Sequence, residues 1–362
     1  MFRAELGIGE SGRSMARALL RAGEPVALLD FSAVSTHRKG DRTFSRFARA
    51  PVHPITLLCA NPPEYQQFAQ SKMARAFGES RYRIGSWWWE LPDLPAAWRE
   101  AFAAVDELWV GSRFIYDCIA PLSPVPVAYV PPIVEPPPVA PLDLAAFGVS
   151  PGEMTVLVMF DYRSVWQRKN PDGAVEAFRR AFRGGERVRL VLKTINADFA
   201  PDAVARLRDA IGGDKRISLV DRYLSREGVY GLVRAADVYL SLHRSEGFGL
   251  TIAEALAYGR PVVVTDWSGN VDFTTPANSF LVDSTLRTLS ADFGPYQRGS
   301  RWAEPDPDHA AAQLRRIYAD PARAQARALR GRLDVRRHFS TVRVARMVAD
   351  RLAAIRAEAV AV

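Results

Sequence analysis

LHRSEGFGLTIAEALA, residues 242–257, holds two carboxylates, two glycines and a change from strand to helix. The run Val238–Leu242 before it predicts a short buried strand. Glu246, Gly247 and Gly249 fall in a loop, and from Leu250 a helical pattern carries Glu254. Gly247 and Gly249 let backbone approach a ligand closely. The first N–H groups of the following helix have no intrahelical acceptor, so Gly247, Phe248, Gly249, Leu250 and Thr251 predict a cradle that fits a diphosphate. Glu254, one turn in, is placed to accept from vicinal hydroxyls, and Glu246 reaches hydroxyls beyond the phosphates. Taken alone, the pair also reads as a loop acid and a favourable first-turn acid.

Outward from this segment, short apolar strands alternate with helical patterns. The strands Met154–Phe160, Val188–Thr194, Ile217–Val220, Val238–Leu242, Pro261–Thr265 and Phe280–Val282 alternate with helices near 171–182, 202–211, 225–235 and 250–258. That succession predicts a doubly wound parallel sheet. The N-terminal half repeats it less regularly, with strands near Val26–Asp30, Ile55–Cys59, Tyr82–Trp88, Glu107–Val110 and Val127–Val130. Between the halves, VPPIVEPPPVAP at 130–141 is too proline-rich to continue a helix or central strand and predicts a stiff linker. Two doubly wound domains joined in this way are expected to leave a ligand-binding cleft at the carboxyl ends of their strands. After residue 308 the pattern is helical and rich in arginine.

At 362 residues the chain can bury two cores, and no apolar run is long enough to span a bilayer. Cys59 and Cys118 lie far apart without metal-ligand spacing, which fits a reducing compartment and a cytoplasmic protein. The net charge of +8 is carried by 43 Arg and five Lys, and residues 310–356 alone hold twelve Arg against three Asp. Such a face solvates helices or attracts phosphate-bearing partners, an anionic membrane included. No nucleic-acid-binding signature accompanies it.

In register with their flanks, Glu246 and Glu254 carry a family resemblance. The string SLHRSEGFGLTIAEALAYGRPVVVTDWSGNVDF, with its Glu-x7-Glu, resembles the donor-site signature of family 4 retaining glycosyltransferases of GT-B fold. FDYRSVWQRKNPDGAVEAFRRAF resembles the start of the same domain. RAELGIGESGR and RYRIGSWWWELPDLPAAWREAFAAVDELWVGSRF resemble the acceptor domain of one bacterial branch. The resemblance implies two Rossmann-like doubly wound domains facing a cleft, with a helical C-terminal tail. The domains would be an acceptor-side domain over 1–135, a linker over 136–150, a nucleotide-sugar domain over 151–335, and a helix over 336–362 returning to the first domain.

It also implies roles. Lys169 neutralises the donor diphosphate, with Arg168 or Arg163 helping and Ser164 standing where many members have an arginine. Glu246 holds the transferred sugar, Glu254 the ribose, and the backbone of 247–251 the phosphates. Gly9 and Gly12 let the first loop close over the diphosphate. Lys193, at a strand end, reads as a second phosphate-facing cation or a surface residue. On the acceptor side stand Asn61, where many members carry a histidine, and Trp89 with Glu90. The expected reaction moves a hexose from a nucleoside diphosphate sugar to a hydroxyl of a lipid-linked or oligosaccharide acceptor, with retention and without a metal. Polysaccharide or glycolipid assembly is the expected setting, with peripheral contact at the inner membrane face.

Other readings compete. Gly7-Ile-Gly-Glu-Ser-Gly12 with Asp30 matches a dinucleotide fingerprint and an NAD-dependent oxidoreductase, but that motif needs a strand immediately before it. Only six residues precede Gly7, so the expectation is a start further upstream, or neighbouring strands that pair across the gap. A sugar-nucleotide-binding module without catalysis is the second alternative. Asp306-Pro-Asp308 imitates a metal motif but reads as a helix cap. His243 reads as packing.

Overall fold

A computed structural model describes residues 1–31, 37–69, 77 and 79–360. The chain divides into two units, Met1–Val134 with Arg337–Val362, and Glu135–Arg336.

The first unit holds a four-stranded parallel sheet in sequential order: β1 (Ile55–Cys59), β2 (Tyr82–Trp87), β3 (Glu107–Val110) and β4 (Val127–Tyr129). Helices α1 (Gly7–Arg21), α2 (Pro62–Ala69) and α3 (Arg113–Ile119) accompany it. Ser112 caps α3 by accepting from the Ile115 amide. Glu64 closes the start of α2: its carboxylate takes the Asn61 amide at 2.9 Å, its own amide donates to the Asn61 carbonyl at 3.0 Å, and Pro62 sits where no N–H is needed.

Two expectations are corrected in this unit. Residues 26–30 join no strand ladder. An apolar cavity of about 720 Å³, lined by Val26, Leu28, Leu29, Ile55, Leu57 and Met15 among others, lies between them and β1. Pairing across the gap is absent as well: β1 stands at the edge of its sheet and pairs only with β2 among the described residues. The second correction concerns Gly9 and Gly12, which lie inside α1 and not in a loop. Residues 1–6 form no strand from which a loop could turn. They fold against the first turns of α1, with Arg13 donating to the carbonyls of Phe2 and Ala4 at 2.8 and 3.0 Å. A Cβ on Gly9 would lie 2.4 Å from the Ala4 carbonyl oxygen, so Gly9 serves close packing of the chain's own backbone.

The second unit holds six parallel strands in the order β10-β9-β8-β5-β6-β7. They are β5 (Met154–Asp161), β6 (Val188–Ile195), β7 (Ile217–Asp221), β8 (Val238–Ser241), β9 (Val262–Thr265) and β10 (Phe280–Val282); β11 (Ser284–Thr288) and β12 (Arg301–Pro305) form a separate antiparallel hairpin. The helices are α4 (Trp166–Lys169), α5 (Pro171–Ala181), α6 (Pro201–Ile211), α7 (Arg226–Ala235), α8 (Leu250–Ala257), α9 (Pro307–Ala319) and α10 (Pro321–Phe339). Asp306 caps α9, accepting from Asp308 and His309 amides. The core forms where β5 and β6 present Val156, Val158, Phe160, Leu190 and Leu192 to the inward stripe of α5, Ala174, Val175, Ala177, Phe178 and Ala181. The proline-rich segment lies along α7 and α8: Leu142 donates to Gly231 at 3.0 Å, and the Tyr258 hydroxyl donates to the Pro137 carbonyl at 2.7 Å. From β5 the chain winds outward through β6 and β7, then returns to the other side of β5 with β8. The winding thus reverses between β5 and β8, the switch point outside whose carboxyl ends sheets of this kind bind ligands in a crevice.

The last helix, α11 (Thr341–Val360), belongs to the first unit. Val344, Val348, Leu352 and Ile355 share one stripe and pack with Met15, Ala18, Ile84 and Trp109. Beside them, Glu107 is fully buried and takes Nε and Nη2 of Arg351, each at 2.7 Å, the Tyr82 hydroxyl at 2.9 Å and the Trp109 indole at 2.8 Å. Every lone-pair direction of that carboxylate has a donor, which is what a buried charge requires.

Replacing Arg351 by Ala leaves Glu107 buried without its cation. The expected cost is about 3 kcal/mol on the unfolding of the first unit in urea, followed by tryptophan fluorescence. A loss within experimental error would show that the pair contributes nothing.

Candidate active site

The crevice of the second unit gathers its charge from the loops after β5 and β8. At the end of β5, the Asp161 carboxylate accepts from the Arg163 amide at 2.9 Å and from the Asn196 side chain at 2.7 Å, and Ser164 donates to the Asp161 carbonyl to close the turn. The short α4 follows, with Arg168 and Lys169 in its last turn. Asn170 then takes a left-handed conformation (φ 51°). Its side chain accepts from the Gly173 amide, capping α5, and donates to the Leu242 carbonyl at 2.9 Å, tying the segment to the end of β8. A residue able to sit at positive φ and bond both ways is needed here, and asparagine does both.

That tie sets Arg168 and Lys169 against Glu246. Arg168 is buried; it donates to the Ser245 carbonyl at 2.8 Å and lies 3.1 Å from Glu246 Oε2. Lys169 Nζ bonds Glu246 Oε1. Burial alone would raise the Glu246 carboxyl, but the charges of Lys169 and Arg168 outweigh it and hold the acid well below the ordinary range. The three charges sum to +1, so the cluster keeps a net attraction for an anion while holding a hydroxyl acceptor ready. Arg244 braces it from behind, with its amide on the Arg168 carbonyl at 2.7 Å and its guanidinium on Glu304 of β12 at 2.6 and 2.7 Å.

The loop after β9 clamps the same segment. Ser268, at φ 74°, accepts from the Glu246 amide at 2.8 Å, and the Gly269 amide donates to the Glu246 carbonyl at 2.9 Å. A Cβ on Gly269 would lie 2.2 Å from the Gly247 oxygen, so only glycine permits this approach. Holding a serine in the left-handed region costs about 1 to 3 kcal/mol, a strain typical of functional loops. His243, fully buried between Ser241 and Asn270, is pushed by that burial below its ordinary value and acts as neutral packing in the loop's base.

Gly249 caps α8 at φ 87°, and the Ile252 and Ala253 amides already fold back to its carbonyl. The amides before them lie at the positive end of the helix. Phe248 is buried against Phe273, and Thr251 accepts from the Tyr239 hydroxyl at 2.8 Å. Glu254, buried in α8, pairs with Arg226 of α7 at 3.1 Å. Arg226 in turn lies over the Tyr230 ring. Burial first, then the nearby charges of both Glu246 and Glu254, push the Tyr239 phenol upward.

One unit thus brings together Arg168, Lys169, Glu246, 247–251 and Glu254. Lys193 stands apart: it is buried near the carboxyl end of β6, with Asp221, Asp161 and Arg222 as its charged neighbours, and burial lowers its affinity for a proton. Arg163 lies over the exposed Phe199 ring. In the first unit, the Asn61 side chain accepts from the Trp88 amide at 2.7 Å. Trp89, expected on the acceptor side, is core: it is 3% exposed, lies against Trp98 and donates to the Asp93 carbonyl. Its neighbour Glu90 is half-buried, and its charge adds to the burial that raises Glu64. Sequence reasoning passed over Arg226, Ser268, Arg244 and Asn170. Only Asn170 left a signal, standing before Pro171-Asp172-Gly173 as a helix cap.

The crevice can hold an anion between two cations and a helix terminus, with carboxylates on either side for hydroxyl groups. Solved structures of similar fold carry sugars and nucleotides. The chain superposes on the pneumococcal O-GlcNAc transferase bound to UDP and GlcNAc with a TM-score of 0.57 at 15% identity, covering 83% of this chain and 56% of that one. It superposes on HepE from Anabaena, in complex with UDP and glucose, with a TM-score of 0.59 at 15% identity, covering 76% and 72%. For a glycosyltransferase from Rickettsia africae the TM-score is 0.61 at 12% identity, covering 96% and 81%. At these identities the likeness establishes the GT-B fold, and the chain spans just over half the length of the pneumococcal enzyme. No curated protein matches in sequence. A family model described as family 4 glycosyltransferase in conflict systems matches residues 121–348, well over half of the chain. With that match beside a Glu-x7-Glu segment folded as strand, glycine loop and helix, the chain belongs to the family 4 glycosyltransferases of conflict systems.

Proposed function

We propose that the protein is a retaining hexosyltransferase, moving a hexose from a nucleoside diphosphate sugar to a hydroxyl of a lipid-linked or oligosaccharide acceptor. The observation that supports this most is the pairing of Lys169 and Arg168 with Glu246 beside the amino terminus of α8. A diphosphate enters where those cations and the amides of 247–251 converge. Lys169 turns from Glu246 to the phosphates, which frees the carboxylate to accept hydroxyls of the sugar, while Arg168 stays anchored on Ser245. Glu254, steadied by Arg226, takes the ribose hydroxyls.

In the reaction, the bond between the anomeric carbon and the β-phosphate oxygen breaks, and the acceptor oxygen bonds to that carbon on the same face. The acceptor's proton passes to the departing phosphate. Fixed positive charge beside the leaving group is worth most where negative charge develops, so cationic side chains carry this part without a metal. Assembly of a polysaccharide or glycolipid at the inner membrane face is the setting we propose.

Lys169→Ala is expected to lower kcat on the preferred donor by roughly a hundredfold or more, with the melting temperature preserved because Arg168 still pairs with Glu246. Full activity would remove Lys169 from the reaction. Glu254→Gln is expected to weaken nucleoside diphosphate binding by roughly tenfold, read by calorimetry after a thermal-shift screen of nucleotides selects the base. Unchanged affinity would place the ribose elsewhere. Donor hydrolysis without acceptor separates an enzyme from a binding module.

A further inference from the structure

Helix α10 is amphipathic in two senses. Its inward face is small and apolar: Ala324, Ala328, Gly331 and Val335 are buried, and a Cβ on Gly331 would lie 2.6 Å from Leu256 Cδ2. Its outward ridge is also apolar. Ala322, Ala326, Leu329 and Leu333 recur at i, i+4, i+7 and i+11 and are all exposed, Leu333 at 67% and Leu329 at 46%. A helix whose only apolar partner is its own domain shows polar residues at those positions.

Arginines border the ridge on both sides. Arg323, Arg327 and Arg330 run along one flank, and Arg332 with Arg336 along the other. Arg316, at the end of α9, adds to the first flank. Burial first, then the charges of Arg323, Arg316 and Arg330, lower the proton affinity of Arg327. Arg327 lies over the Phe280 ring and donates to the Ser279 carbonyl at 3.3 Å, but among the described residues no acid pairs with Arg323, Arg330, Arg332 or Arg336. Asp334 is the one acid in the helix and holds the Asn278 side chain at 2.8 Å, and Asp320 caps the helix at the Arg323 amide.

We propose that the outward face of α10 docks on an anionic bilayer surface, its leucine ridge entering the headgroup boundary and its two arginine rows meeting lipid phosphates. An apolar stripe between cationic flanks fits an interface that is greasy in the middle and anionic above it. Nucleic acid would be served by the arginines and would leave the ridge without use. Among the described residues no helix is long and apolar enough to cross a membrane, so such attachment would be peripheral. Docking of this kind rests on the inner-membrane setting proposed above and names the surface that would make it; sugar transfer by the crevice stands or falls separately.

Flotation of the full chain with phosphatidylglycerol-rich vesicles tests it, against pure phosphatidylcholine vesicles and a duplex DNA. The expected result is partition onto the anionic vesicles alone, weakened by salt and by roughly fivefold for each of Arg323→Ala and Arg330→Ala. Leu333→Glu is expected to abolish it with unchanged melting temperature. Leu333→Trp is expected to shift its emission to the blue on those vesicles. Absence of partition, partition indifferent to Leu333, tighter binding to the duplex, or self-association through the ridge without vesicle binding would each overturn the proposal.

Discussion

A carboxylate held between two cations organises the candidate site. The charges of Lys169 and Arg168 outweigh the burial of Glu246 and keep it ionised at that depth. The surrounding backbone keeps the three in reach. Asn170 ties the loop after β5 to the end of β8, and Ser268 with Gly269 pins the backbone of Glu246 from the loop after β9. The reversal of winding between β5 and β8 makes room for the cluster, because adjacent strands there send their connections in opposite directions. Position in the sheet, loop conformation and charge balance are one constraint seen at three scales.

Much of this was legible from residue order. In the second unit, buried strands read as plain apolar runs, and glycines marked the places where backbone must approach something closely. The Glu-x7-Glu spacing put one acid on a loop and the other on a helix face. What escaped was long-range. Arg226 meets Glu254 across 28 positions, and Arg244 meets Glu304 across 60, and neither arginine differs in local pattern from its many neighbours. With 43 arginines in the chain, charge alone singles out none of them.

The first unit was read less well for a physical reason. A strand-like pattern at 26–30 predicts pairing only if a partner edge is available, and here an apolar space stands where the partner would be. The G-x-G-x-x-G loop failed in the same way. Its glycines serve a phosphate only when a strand delivers the chain to the helix start, and residues 1–6 fold onto the helix. Trp89 read as an acceptor-side residue, yet it and Trp87 both pack against Trp98.

The buried anchor at Glu107 has a consequence for biogenesis. Its cation, Arg351, lies 244 positions further along the chain. The second unit is continuous in sequence, so a ribosome releases everything it needs before the last helix emerges. Residues 1–134 of the first unit are made before the second unit but must wait, with Glu107 lacking its cation, until α11 clears the exit tunnel. The order of synthesis and the order of completion are therefore opposite, and the nascent N-terminal half is the part most exposed to chaperones and proteases in the interval.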